Sequence, residues 1–144
     1  MDERFYATLQ RMEYNVTFSS GMEALGGARS ARLMSFAQES SAFLLQSMEQ
    51  EEICFLLGDV RRIAPEYPLS LSEEEWTELA LGKDASGERA LPEQVIALCR
   101  MSIPYERPQD AGFDLSRLVF VNRESGRAME AYRSGFPVIP LKKN

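Results

Sequence analysis

The segments AFLLQSM (42–48) and ICFLLG (53–58) are apolar on consecutive positions, and only EQEE (49–52) separates them. This pattern predicts a β-hairpin with an acidic tip. Without strict alternation, its two arms are expected to be central strands covered on both faces. Residues 4–10, EYNVTF (13–18), ARLMSF (31–36), QVIALCRMSI (94–103) and FDLSRLVFVN (113–122) are rich in β-branched, aromatic and other apolar residues and predict further strands. RESG (123–126) predicts a turn, after which RAMEAY (127–132) pairs back.

Between these runs lie punctuated stretches. Gly21, Gly26 and Gly27 mark 19–30 as a flexible connection, and KDASGERALPE (83–93) reads as a polar loop. Pro65 and Pro68 make 58–72 a loop or sheet edge, and Pro137 and Pro140 make the tail extended and peripheral. One helix is expected, over about residues 72–81. Ser72 can cap its start with Glu75 three residues on, Glu73 and Glu74 sit where the helix dipole favours negative charge, and Trp76, Leu79 and Ala80 follow at helical spacing before Gly82. Many short strands with one helix predict a mainly β fold, a small antiparallel β-barrel-like single domain over 1–144.

Composition narrows the chemistry. The 144 residues suit one domain, and no stretch approaches the apolar length of a membrane span. MDERFYATLQ (1–10) lacks the basic then apolar pattern of a secretory signal, so a cytoplasmic location is expected. There is no histidine, which removes the usual Ser-His and Cys-His activation schemes and the usual imidazole metal ligand. Cys54 and Cys99 each sit in an apolar run, where packing as small buried hydrophobes is the expected role.

The carboxylates, 22 in all, include no pair singled out by an apolar context, so no acid/base enzyme is indicated. The glycines at 26–27 lack a phosphate-loop or dinucleotide fingerprint, and Glu51-Glu52 and Glu73–Glu75 lack the spacing of a calcium loop. No cofactor or metal is therefore expected.

The net charge of −6 disfavours direct nucleic-acid binding, and its distribution is uneven. Residues 1–36 sum to zero and 82–144 to +2, whereas 37–81 hold ten acids against Arg61 and Arg62, a net −8. Such a region is either a solvated face or a patch that steers a basic protein partner.

The order of blocks resembles the flagellar assembly factor FliW family, from Arg4 to Leu141. Arg4-Phe5, VTFSSG (16–21), FLLQSME (43–49), ICFLL (53–57), PEYPLSLSEEEWTELAL (65–81), VIALCRMSIP (95–104) and DLSRLVFVNRESGRAMEAY (114–132) occur in the family's order. The chain departs from it in SSGMEALGG (19–27), AGFDL (111–115) and YRSGFPVIPL (132–141), the last without the family's histidine.

The resemblance implies a small β-barrel-like, non-enzymatic protein of bacterial flagellar assembly. It would bind the RNA-binding translational regulator CsrA, stopping it from repressing flagellin mRNA, and bind flagellin, which competes. Glu49, Glu51, Glu52, Asp59, Glu66, Tyr67, Glu73 and Glu74 are the expected partner contacts. The altered glycine loop and tail leave an alternative open, a FliW-derived acidic protein-binding module with a different partner.

Overall fold

The computed structural model describes residues 12–35, 42–82, 87–102, 106 and 108–140. The strands are β1 (Met12–Met22), β2 (Ala28–Ser35), β3 (Ala42–Ser47), β4 (Cys54–Asp59), β5 (Ser70–Leu71), β6 (Arg89–Ala90), β7 (Val95–Ser102), β8 (Gly112–Asn122), β9 (Arg127–Tyr132) and β10 (Val138–Pro140). Two short helices, α1 (Val60–Ile63) and α2 (Glu73–Glu78), fall between β4 and β6. Neighbours run β8-β7-β4-β3-β2-β1-β9, and β9 pairs back onto β8, which closes a barrel of seven strands. The expected mainly β barrel is therefore present. The expected strand at 4–10 lies outside the described residues.

Closure uses a parallel seam. β1 meets β9 through Thr17↔Arg127 and Phe18↔Ala128, while the other pairs around the ring are antiparallel. Thr17 N–H donates to Gly126 O at 2.8 Å, and beyond the two paired positions the Glu130 carboxylate accepts from Glu23 N–H at 3.1 Å. β10 extends the sheet along the first part of β8, through Val138↔Asp114 to Pro140↔Gly112.

The apolar residues form two clusters on opposite sides of one wall. Val16, Phe18, Leu33, Leu45, Leu57, Leu98, Val119 and Val121 fill the barrel. Val95, Ala97, Cys99, Leu118 and Phe120 form the second cluster with Val60, Ala64, Leu71 and Leu79. The alternation of β7 and β8 thus sends one set of side chains inward and the other under residues 60–81 and Leu91, so positions 95–99 and 118–122 are buried on both faces. Gly58 belongs to this close packing: a Cβ there would collide with Ile63 and Phe113.

This corrects the reading of the hairpin. β3 alternates between half-buried and buried positions, and β4 leaves Cys54 and Leu56 exposed. The covering segment lies over β7–β9 instead, so the hairpin has one covered face. Cys54, expected to be buried, is exposed for this reason, whereas Cys99 is fully buried beneath the cover. Its connection is also longer than EQEE, running from Met48 to Ile53.

Other boundaries shift too. β1 continues through Met22 past a register shift, so the expected loop at 19–30 shrinks to a 3-10 turn, Glu23–Leu25, and Gly26-Gly27. Gly26 and Gly27 have φ of 70° and 84°, which glycine adopts at little cost. The segment 58–72, expected as loop or edge, contains α1 and β5, and the polar stretch 83–93 supplies β6, which pairs with β5. α2 has the predicted capping box: Ser72 Oγ accepts from Glu75 N–H and Glu75 Oε1 accepts from Ser72 N–H.

Candidate functional site

The acidic tip is held by the residues just before it. Ser47, 1% exposed, accepts hydrogen bonds at its Oγ from the N–H groups of Glu49 and Gln50, both at 3.0 Å. Gln46 Nε2 donates to Glu51 O at 2.8 Å, and the turn closes through Ile53 N–H to Gln50 O. Gln46-Ser47 thus fixes the conformation of the turn. Glu49 in turn binds β2, its carboxylate accepting from the N–H groups of Arg29 at 2.8 Å and Ser30 at 3.3 Å. Glu51 and Glu52 are exposed beside Met48, which is 49% exposed.

A second acidic group lies on α2. Glu73 accepts from Gly87 N–H at 2.9 Å, and Glu73, Glu74, Thr77 and Glu78 border a shallow depression with Arg127 of β9. Asn122, 1% exposed, anchors the end of this helix by donating to Leu79 O at 2.8 Å while its Oδ1 accepts from Glu124 N–H.

The sheet register relates the two groups. Arg127 pairs with Thr17, Thr17 with Ser30, and Met48 N–H donates to Ser30 O. The tip and Arg127 are therefore three strand spacings apart, roughly 15 Å along the wall. Glu49, Glu51, Glu52, Glu73 and Glu74 flank one polar band.

Asp59, Glu66 and Tyr67 sit elsewhere. Asp59 caps α1, accepting from Arg61 N–H at 3.1 Å and facing Arg62 Nε at 3.8 Å. Burial raises its pKa despite the opposing hydrogen bond from Arg61 and the charges of Arg62, Arg61 and Arg123. Tyr67 is half-buried against Phe136, ring centroids 5.3 Å apart, in the cover segment, and the neighbouring Glu66 is exposed.

The sequence reading missed a groove of about 610 Å³ on the wall made by β3, β4, β7 and β8. Leu44, Cys54, Phe55, Leu56 and Met101 line it with Ser102, Arg100, Arg117 and Asp114. Its signal lay in the same consecutive apolar runs: without a cover, every second residue of the hairpin faces outward. The described residues contain no group of three His, Cys, Asp or Glu able to hold a metal, and no helix long and apolar enough to cross a membrane.

A family model, "FliW protein", matches residues 3–129. Among solved structures, one described as "Crystal structure of the flagellar assembly factor FliW" aligns with a TM-score of 0.66 at 14% identity, covering 97% of this chain and 85% of that one. At that identity the alignment shows a shared fold. No curated protein matches the chain. The family match spans most of the sequence, including the hairpin, α2 and the closing seam, and on it the chain belongs to the FliW family.

Proposed function

We propose that this protein is a non-enzymatic flagellar assembly factor of the cytoplasm that antagonises a CsrA-type RNA-binding regulator and binds flagellin. The family match over residues 3–129 carries the reading. The surface supplies a physical rationale. An RNA-binding regulator presents basic surfaces, and the polar band flanked by Glu49, Glu51, Glu52, Glu73 and Glu74 offers a complementary field that also repels phosphate. Flagellin would displace the regulator, or the reverse, by differential affinity alone.

Calorimetry with purified CsrA and flagellin tests this. Heat of binding with each, and loss of the first signal when the second partner is present, is the expected result. No heat with either at about tens of micromolar, where complexes of ordinary affinity are saturated, overturns the proposal. Co-purification of some other protein would then favour an acidic module with a different partner.

A further inference from the structure

We infer that the groove on β3, β4, β7 and β8 is a second docking surface, for an amphipathic acidic segment of another protein. Leu56, 43% exposed, and the half-buried Leu44 and Met101 give it an apolar floor beyond the reach of the segment that covers the rest of β7 and β8.

Its charge has the opposite sign to the acidic band. Arg100 lies with its guanidinium carbon 4.5 Å from the Phe55 ring centroid, and no described carboxylate comes within ion-pairing distance of it. Arg117, at the groove's border, meets Asp114 at 3.8 Å but keeps 53% of its side chain exposed. With Asp114 engaged by Arg117, the half-buried Arg100 guanidinium beside the exposed Leu56 and the half-buried Leu44 fits a segment that brings apolar side chains and a carboxylate together. The occupant is thus chemically distinct from a basic partner of the acidic band. The inference does not depend on which proteins the band binds.

Cys54 supplies a reporter. Its thiol is exposed within the groove, while burial raises the Cys99 thiol to about 12 and keeps it unreactive, so alkylation by iodoacetamide reads the groove alone. The probes are two synthetic amphipathic helices with leucines along one face, flanked in one by glutamates and in the other by lysines.

The glutamate helix is expected to slow Cys54 alkylation and the lysine helix to leave it unchanged. Arg100→Glu should weaken protection by about tenfold, the scale of one partly desolvated charge pair. Leu56→Gln, at an exposed position that leaves the fold intact, should weaken it as well. Equal protection by both helices, protection indifferent to both substitutions, or none at about millimolar peptide overturns the inference. Protection that grows with protein concentration alone, with a dimer in sedimentation, assigns the groove to a second copy and overturns it too.

Discussion

Arg133, directly after β9, grips Glu75 of α2 with both prongs of its guanidinium, Nη1 to Oε2 at 2.9 Å and Nη2 to Oε1 at 2.8 Å. Nη2 also donates to Ser70 O at 3.0 Å, and the group lies 5.5 Å from the Phe120 ring centroid. A helix of six residues cannot stand alone, so this contact, with the Leu79 packing and the Asn122 anchor, holds the α2 acids on the barrel. Arg133→Ala is expected to lower stability by about 2–3 kcal/mol, as for loss of charged hydrogen bonds in a partly buried site. Arg133→Lys should recover only part, because an ammonium cannot bond as a fork. Urea denaturation measures both, and a loss from Arg133→Ala below about 0.5 kcal/mol would make the contact incidental.

The same pair sets an acid dependence. Burial pushes the Glu75 carboxyl up, but hydrogen bonds from Arg133 and Ser72 and the Arg133 charge outweigh it and leave the pKa below the usual 4.5. A carboxyl depressed on folding stabilises fully above its unfolded pKa, and that contribution is lost as pH falls from there through the folded value. Stability should therefore drop below about pH 4.5, and Glu75→Gln should be less stable at pH 7 while losing less on acidification. Asp59, raised by burial, contributes with the opposite sign, so its variant Asp59→Asn separates the two in a pH series of thermal melts.

The two faces of the hairpin predict opposite outcomes for similar substitutions. Leu45 is fully buried in the barrel, and Leu45→Ala should cost about 2–5 kcal/mol. Leu56 faces outward and is 43% exposed, so Leu56→Ala should cost less than about 1 kcal/mol. Equal costs in chemical denaturation would mean that both faces of these strands are covered.

Charge reversal at the tip distinguishes binding from folding. Among the described residues, Glu51 and Glu52 make no side-chain bond like that of Glu49 to the Arg29 and Ser30 amides. The double substitution to lysine should weaken a basic partner by about tenfold, flatten the salt dependence of binding, and leave the melting temperature unchanged. Glu49→Lys should also destabilise, by about 1 kcal/mol for the lost bonds. Unchanged affinity of the double variant would remove the tip from the interface.

Sequence patterns revealed the late strands and α2 because their signals are local. The Ser72–Glu75 box, the RESG turn and the length of QVIALCRMSI each act within a few residues. The hairpin was harder, because consecutive apolar residues indicate burial without indicating which element supplies the cover. That cover, from Val60 to Leu81 with Leu91, lies on β7–β9 through contacts distant in sequence, such as Val60 and Leu79 beside Phe120. Gln46-Ser47 and Asn122 belong to the blocks that carried the family resemblance, and their roles here are to hold the turn and anchor the helix. The groove was invisible because its outward leucines looked like core.

The seam between β1 and β9 joins residue 17 to residue 127, so the order of synthesis matters to this barrel. A growing chain can form β1 to β4 early, but the ring stays open until Arg127 and Ala128 have emerged. Throughout that interval the edge of β1 that will meet β9 has no partner and the apolar interior faces water, the situation in which nascent β-proteins aggregate. Translation that pauses ahead of β9 prolongs the state a cell must shelter, and completion of two backbone pairs ends it.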